Sequence, residues 1–574
     1  MKKKIFGLSF FFVAIILGIA AYILKYEKDS KEITIIYTTD VHTKLDNVTE
    51  GGLTYGNVKA LREDLEESGQ VVFLVDEGDN IQGSVYGSFD QGESVVELME
   101  LANYDASAVG NHEFDYGMFR ALQVMEESEV SYISCNFRNA VSDERMISAY
   151  KIIERNGIKV GFIGITTPET LLKASPILFQ DEDGNVVYDF SDGENGELLY
   201  AVVQGAIDEI RDQVDYVVLL SHLGNDYYSA PYRSCDVINH TTGVDLVLDG
   251  HSHKVIKKQV YNDAEGKPVA LSQAGSYFDC IGVAKLSKHE LSVEIIKEYD
   301  KTDAEMEQLA KKDVERVEAS LGKKLAVLDN PLYINDANDS SKRLIRLQDT
   351  NISDFVTDGV YWYFNEKLQM PCDITVSNGG GLRADVPAGE FSALASKSIQ
   401  PFGNKLCMVE LTGQEVLDML EWGARNIGKA QAPALLHTAG LTYKIDKDLE
   451  STVLCDMDQY EGAPTGEYKV SDVKIYNRVT GIYDPLDLDR KYTVAGVNFV
   501  LRNAGDGFTM LKDAEPVVDY IGEDYEIVAQ FAAAFAGGND GFPHINNKNS
   551  PMAKYENYIY DYENPLGSGR IAIE

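Results

Sequence analysis

The sequence predicts two α/β domains joined by a long helix. With 574 residues, the chain is too long for one hydrophobic core, because single cores stop growing near ~250–300 residues. In the first half, apolar β-branched runs alternate with helix-like stretches, which is typical of a largely buried sheet. The charged stretch 302–323 carries apolar residues at helical spacing. We therefore expect a first domain at 33–300, a linker helix at 301–326 and a second domain at 327–574.

The first domain is predicted to be built from short strands and intervening helices. The strand candidates are Ile33–Tyr37, Val71–Val75, Ala106–Val109, Tyr216–Leu220 and Leu246–Leu248. The helix candidates between them are Asn57–Glu67, Ser94–Ala102 and Leu198–Gln213.

The N-terminus predicts export. Residues 2–4 are lysines, and Ile5–Leu24 contains no charged residue. Twenty apolar residues can span a hydrocarbon core, with the lysines held in the cytoplasm. Gly18-Ile19-Ala20 also offers a small-residue cleavage site. Residues 1–25 are therefore interpreted as a membrane anchor or a cleaved signal, and both put the rest of the chain outside the cytoplasm.

The charge balance excludes one class of partner. The chain has 92 acidic and 52 basic residues, a formal net charge of −40. Nucleic acid polymers are bound by clustered Lys and Arg, so we expect none as a partner. A small anionic substrate would need bound cations or a few arginines. Six cysteines are scattered singly and are expected to be small buried side chains.

Metal-ligand side chains follow each of the five predicted strands. They are Asp40 and His42, Asp79, Asn111 and His112, His222, and finally His251 and His253. Ligands in open α/β sheets gather at the carboxyl ends of strands. In an extended segment, residues two apart point the same way, so both members of an Asp-x-His or His-x-His pair can face one metal ion.

The mixture of carboxylate, imidazole and amide suits Zn²⁺, Mn²⁺ or Fe rather than Ca²⁺. There are more candidate ligands than one zinc ion binds. Their number fits two metal ions that lie about 3.5–4 Å from each other and share one carboxylate. Asp79 is the expected bridge. A lone Asp-x-His is often only surface decoration, but five of the nine histidines fall at these strand ends. The other four, at 240, 289, 437 and 544, are expected to be structural.

The ordered motifs DVH, GDN, GNHE, SHLG and GHSH resemble the calcineurin-like metallophosphoesterase superfamily. In the second half, Asn378 to Arg383 (NGGGLR), Gln400 to Asn404 (QPFGN), Asn498-Phe499 and Gly505 to Phe508 (GDGF) resemble the 5′-nucleotidase family. That family also includes 2′,3′-cyclic nucleotide phosphodiesterases. The resemblance implies a four-layer α/β sandwich metallophosphoesterase domain followed by an α/β 5′-nucleotidase C-terminal domain.

The resemblance also implies roles for the strand-end residues. One divalent ion is expected on Asp40, His42, Asp79 and His253, and a second on Asp79, Asn111, His222 and His251. His112 is similar to a histidine that stabilises the phosphoryl transition state without binding metal, and Asp115 to the carboxylate that orients it. Glu113 is given no part in the reaction.

In the second domain, Phe402 and Phe499 resemble the aromatic pair that stacks on a nucleobase. Arg383 is expected to bind the phosphate, and Asp506 is expected to bind the ribose hydroxyls. Asn378 and Gly380 are expected to contact the ligand. Some relatives carry a further phosphate-binding arginine in the first helix of this domain. The corresponding stretch here, Trp362 to Lys367, has none, which predicts weaker diphosphate recognition.

The expected activity is hydrolysis of nucleoside 5′-monophosphates to nucleoside and phosphate. The metal motifs do not distinguish this from a 2′,3′-cyclic nucleotide phosphodiesterase with 3′-nucleotidase activity. A non-catalytic nucleotide-binding surface protein is a third reading, but the motif set lacks none of the expected ligands. Because ligands come from two domains, hinge rotation near the linker is expected.

Overall fold

The computed structural model describes residues 31–574, apart from 182–184, 194, 227–228, 337–338, 340–341 and 457. The predicted anchor or signal at 1–25 lies outside the described residues. Within the described ranges, no helix is both long enough and apolar enough to cross a membrane.

The first domain contains two six-stranded sheets. In spatial order, the first sheet is Leu291–Ile296, Ile281–Leu286, Ile33–Thr38, Val72–Asp76, Ala106–Ala108 and Ser131–Ile133. The last four of these strands pair in parallel. The second sheet is Val255–Asn262, Pro268–Ala274, Leu246–Asp249, Tyr216–His222, Ile158–Thr166 and Tyr150–Arg155. Its central strands are also parallel, so carboxyl ends from both sheets carry the ligand loops.

The two sheets pack face to face and are covered by helices on their outer sides. Ile35 and Val75 of the first sheet and Phe162 and Leu220 of the second share one buried cluster. The outer faces bury separate clusters under the helices. The larger helices are Tyr55–Glu67, Val85–Asp90, Glu93–Leu101, Met118–Glu127, Glu197–Ile210 and Ser234–His240. The predicted four-layer α/β sandwich is confirmed.

The predicted long helix spans Ala304–Leu321. Asp303 caps it, since its side chain accepts hydrogen bonds from the backbone N–H groups of Glu305 and Met306. Four side chains at helical spacing are buried on one face, namely Met306, Ala310, Val314 and Val317. This face joins the core of the first sheet's helices, so the helix packs onto the first domain before the chain enters the second.

The second domain is built on a five-stranded sheet in the order Leu436–Ala439, Ile374–Asn378, Lys491–Val497, Lys405–Thr412 and Glu515–Glu523. A four-stranded sheet adds Ile482–Pro485, Val470–Asn477, Leu441–Ile445 and Ile571–Ile573. A three-stranded sheet contains Gly389–Ser392, Lys324–Leu328 and His544–Ile545. The main helices are Asn351–Trp362, Ala393–Ile399, Gly413–Ala424 and Asp524–Ala533. A two-domain α/β architecture is thus confirmed, while the exact boundaries stay predictions.

The cysteines are all free. Five of them are buried, in agreement with the expectation of small apolar side chains, but Cys455 is exposed. It lies on the two-stranded hairpin Leu454–Asp456 and Gln459–Gly462, which is too small to bury the side chain.

Candidate active site

The loops that carry the predicted metal ligands have an unusual backbone. Asp40, His42, Asp79, His251 and His253 have φ values of 49°, 49°, 57°, 67° and 55°. Each left-handed non-glycine residue costs about 1–3 kcal/mol, and such strain clusters at functional sites. Backbone hydrogen bonds hold the loops: Asp40 N–H donates to Gly78 O and His42 N–H to Asp79 O. The fold therefore imposes this geometry on the ligand loops.

The side chains converge in two groups. The ligand atoms of Asp40, His42 and His253 all lie within 4.8 Å of one another, as do those of Asp79, His222 and His251. Asp79 lies between the groups, since its Oδ2 atom is 3.1 Å from His222 Nε2 and 3.8 Å from His42 Nε2. This is the position expected of a bridging carboxylate.

The protonation of the histidines fits metal binding. His42 Nδ1 bonds to the carbonyl of Gln82 and His222 Nδ1 to that of Glu77, so each Nδ1 carries the proton. The Nε2 lone pair of His42 then faces His253 Nε2 at 3.0 Å. Two ring nitrogens at this separation can both bind one cation when His253 presents its Nε2 lone pair as well.

Two further observations support cation binding. Asn111 Oδ1 is buried and has no hydrogen-bond partner among the described residues, and a buried polar atom without a partner is costly. Burial alone would lower the pKa of His222, but the carboxylates of Asp79 and Asp40 raise it to about 10. The pocket thus favours positive charge, and the donor set fits two divalent ions of the zinc or manganese type.

His112 belongs to neither ligand group. Its Nδ1 lies 2.6 Å from Asp115 Oδ2, and its backbone N–H donates to Asp79 Oδ1. Burial would lower the pKa of His112, but the charges of Asp115 and Asp79 outweigh it and raise the pKa. The imidazole is therefore prepared to donate from Nε2 to an anion in the cleft that it lines.

Glu113 holds the metal-ligand loops in place. This role of Glu113 was not predicted from the sequence. One carboxylate oxygen accepts the N–H groups of Gly110 and Asp79 at 2.6 and 3.0 Å, and the other accepts that of Asn80 at 2.8 Å. Gly110 is required beside it, because a Cβ atom there would lie 2.2 Å from an Asp79 carboxylate oxygen. Glu113 thus ties the second and third ligand loops together.

Glu169 is a second residue missed by sequence reasoning. It accepts a hydrogen bond from His251 Nε2 at 2.9 Å, which leaves Nδ1 of His251 to face a metal ion. Burial would raise the pKa of Glu169, but the hydrogen bond with His251 and the charges of His251 and Lys173 lower it to about 2. The only signal for it is its place after the strand Ile158–Thr166.

A cleft of about 1640 Å³ runs from these ligands to the second domain. All six predicted substrate residues line it: Asn378, Gly380, Arg383, Phe402, Phe499 and Asp506. The Phe402 ring lies 5.8 Å from the His112 ring across the domain boundary. Asn378 Nδ2 donates to Asp506 Oδ2 at 2.8 Å, so these two side chains are held together at one end of the cleft.

Arginines that the sequence did not single out also line the cleft. The stretch Trp362 to Lys367 contains no arginine. Arg343 and Arg346, however, lie in the cleft wall with Arg383. Each of the three has a buried guanidinium nitrogen without a hydrogen-bond partner in the described chain. Burial and the charges of the other two lower the pKa of Arg346 well below its usual value. Such a cationic cluster attracts phosphate, so arginines outside Trp362 to Lys367 line the cleft, while weaker diphosphate recognition stays a prediction.

Comparisons with known proteins agree with this architecture. Residues 33–255 match the sequence model of the calcineurin-like phosphoesterases. Residues 324–513 match that of the 5′-nucleotidase C-terminal domain. The two matches are consecutive and together cover most of the chain.

Individual relatives give the same picture. The chain is 24% identical to human 5′-nucleotidase over 87% of its own length and 88% of that protein. It is 26% identical to a trifunctional nucleotide phosphoesterase of Bacillus subtilis over 89% of its own length, but spans only 35% of that relative. Among solved structures, the 5′-nucleotidase precursor of Thermus thermophilus superposes with a TM-score of 0.70 at 24% identity, covering 90% of this chain and all of that one.

The fold and site thus define a metal-dependent phosphoester hydrolase that uses two divalent metal ions. The chain belongs to the 5′-nucleotidase family, with a calcineurin-like phosphoesterase domain followed by a 5′-nucleotidase C-terminal domain.

Proposed function

We propose that the protein hydrolyses nucleoside 5′-monophosphates to nucleoside and phosphate. The observation that carries the proposal is the 5.8 Å contact between the rings of His112 and Phe402. It brings the predicted base-stacking residue of one domain next to the predicted phosphate-binding histidine of the other. A nucleotide in the cleft can therefore reach both groups at once.

The proposed metal ligands divide into two sets that share Asp79. Asp40, His42, Asp79 and His253 would hold one ion, and Asp79, Asn111, His222 and His251 the other. When bound, such a pair of ions supplies an activated water for in-line attack and neutralises phosphate charge. The contribution of Glu169 is to fix the ring of His251, and that of Glu113 is to hold the loops of Asp79 and Asn111.

His112 and the arginines act on the phosphoryl group itself. In the transition state, charge is spread over the equatorial oxygens, and preorganised donors stabilise it. His112 donates from Nε2, while Asp115 keeps the imidazole oriented and protonated. Arg383 grips the phosphate from the second domain, and Arg343 and Arg346 add positive charge to the same wall.

The other end of the cleft would bind the nucleoside. Phe402 and Phe499 stack on the base, which tolerates different bases because every base has a π-face. Asp506, held by Asn378, accepts hydrogen bonds from the ribose hydroxyls. Gly380 lets the backbone approach the ligand closely. Release of product would use a rotation of the two domains near the linker helix.

A second candidate is a 2′,3′-cyclic nucleotide phosphodiesterase with 3′-nucleotidase activity. The name of the Bacillus subtilis relative, a trifunctional nucleotide phosphoesterase, supports it. The two activities differ in where the scissile phosphate lies relative to the stacked base.

The activity is proposed to lie outside the cytoplasm. The support is the sequence of residues 1–25, three lysines followed by an apolar run that fits an anchor or a signal. A protease-protection assay on intact cells tests this. Cleavage by external protease is expected, and protection of the C-terminal region would contradict export.

The function is tested with and without EDTA by phosphate release from AMP and ADP and by chromatography of the nucleotide products formed from UDP-glucose and 2′,3′-cyclic AMP. We expect EDTA-sensitive release from AMP at the highest kcat/KM. A higher kcat/KM for the cyclic nucleotide would favour the second candidate. A chain that retains bound metal but hydrolyses none of these compounds would overturn the enzymatic proposal.

A further inference from the structure

Tyr277 of the first domain lies between the metal-ligand loops and the second domain. It follows the strand Pro268–Ala274 and has a left-handed backbone, with φ 52°. Its backbone N–H donates to the carbonyl of Asp40 at 2.8 Å. The residue is thus fixed to the loop that carries the first predicted metal ligand.

The Tyr277 ring packs on that same ligand group. Its centroid is 5.0 Å from that of His42 and 5.9 Å from that of His253. The ring therefore has a defined position relative to both imidazoles, and a phenyl ring could keep these contacts.

The hydroxyl group reaches across the domain boundary. It accepts a hydrogen bond from Arg383 Nη2 at 3.1 Å, and Arg343 also donates to it. Arg383 Nε, in contrast, is buried without a partner in the described ranges. Nη2 of the guanidinium is therefore held by Tyr277, while the N–H of Nε is left for a ligand.

We propose that Tyr277 is a positioning residue: its hydroxyl fixes Arg383 at a set place relative to the first metal-ligand group, so that the arginine meets a phosphate bound there. The proposal rests on the phosphate-binding role of Arg383 in the proposed function. Because the bond joins the two domains, it exists only when they are closed on each other. Tyr277 thereby couples domain closure to phosphate binding.

The contact with Arg383 is specific to the hydroxyl, so Tyr277→Phe removes it and keeps the ring. Tyr277 acts on phosphate only through the arginine, so we take the scale of an ordinary hydrogen bond, whose loss changes affinity by about 3–10-fold. We expect the Kd for inorganic phosphate, measured by calorimetry on metal-loaded protein, to rise by this factor. For AMP, we expect KM to rise by a similar factor with metal content unchanged. Tyr86→Phe is the matched control, since Tyr86 lines the same cleft, and its phosphate affinity should equal that of the parent.

A double-mutant cycle with Arg383→Met separates positioning from a general structural effect. If Tyr277 acts through Arg383, Tyr277→Phe causes a smaller loss of phosphate affinity in the Arg383→Met background than in the parent, and the loss that remains passes through Arg343. An equal loss in both backgrounds, an unchanged affinity in Tyr277→Phe, or a parent that binds no phosphate would overturn the proposal. Phosphate binding that depends on Tyr277 in a chain without AMP hydrolysis would instead uphold this inference and refute the proposed function.

Discussion

His112 Nδ1 and Asp115 Oδ2 lie 2.6 Å apart, and this pair stands beside the metal ligands without belonging to either group. Asp115 therefore orients the imidazole and holds a proton on it. The adjacent Asn111 has its side-chain oxygen buried without a partner in the described structure. Asn111 is thus placed to bind a metal ion and His112 to donate a hydrogen bond. Substitution of His112 should therefore lower turnover without changing metal content.

The substitution His112→Asn is expected to lower kcat by ~10²-fold or more, the scale for one transition-state donor. Metal content should be unchanged, because His112 contributes to neither ligand group. The measurement combines steady-state kinetics on AMP with elemental analysis of the purified protein. His289→Asn is the control, since His289 is exposed. Parental kinetics in His112→Asn would remove this residue from the mechanism.

The substitution Asp79→Asn is expected to reduce the content of both ions, because Asp79 lies between the two ligand groups. His253→Ala should affect mainly one ion, since its ligand atom belongs to the group of Asp40 and His42. Elemental analysis after dialysis distinguishes the two outcomes. Asp226→Asn, a change at another acidic residue of the cleft wall, should retain both ions. Full metal occupancy in Asp79→Asn would refute the bridging assignment.

The substitution Phe499→Ala is expected to raise KM for AMP, since stacking on one aromatic ring contributes about 1–3 kcal/mol per base. For ribose 5-phosphate, which has no base, KM should stay the same. Comparing the two substrates therefore isolates the base contact. Phe119→Ala, at a ring that is 84% exposed, should change neither value. An equal increase in KM for both substrates would show that Phe499 acts on the fold and not on the base.

Asp524 should make stability depend on pH. It is buried at the start of the helix Asp524–Ala533, and burial, together with Glu523, raises its pKa to about 8. The pKa of this carboxyl is about 4 in the unfolded chain and is raised in the folded protein. The protonated carboxyl therefore contributes fully to the free energy of unfolding below about pH 4, and this contribution is lost as the pH rises toward 8. In Asp524→Asn, which cannot ionise, Tm should therefore fall less between pH 5 and pH 8 than in the parent.

The comparison is made by thermal unfolding at both pH values with the same metal content. Asp513→Asn, at an exposed carboxylate of the same domain, should follow the parent curve. If Asp524→Asn and the parent lose Tm equally over this range, the buried carboxyl is not the source of the pH dependence.

The sequence predicted the elements that depend on local pattern. The strand candidate Val71–Val75 corresponds to Val72–Asp76, and the charged helix to Ala304–Leu321. Both have a periodicity that is visible within a few residues. The strand-end ligands were recognisable because parallel strands place their carboxyl ends at one edge of a sheet.

The residues that the sequence missed act through contacts between distant segments. Glu169 meets His251 across 82 positions and Tyr277 meets Arg383 across 106. Arg343 precedes the single short turn Leu344–Arg346 and Arg346 ends it. In so short an element, no periodic pattern indicates which side chains face the cleft. Such partners are fixed by tertiary packing, which short-range patterns do not encode.

The most direct test is to add Zn²⁺ or Mn²⁺ stepwise to metal-free protein and to measure phosphate release from AMP. The account predicts no release without metal and a plateau at two ions per chain. Release that is unaffected by metal removal, or a fully metal-loaded chain that releases no phosphate from AMP, would contradict it.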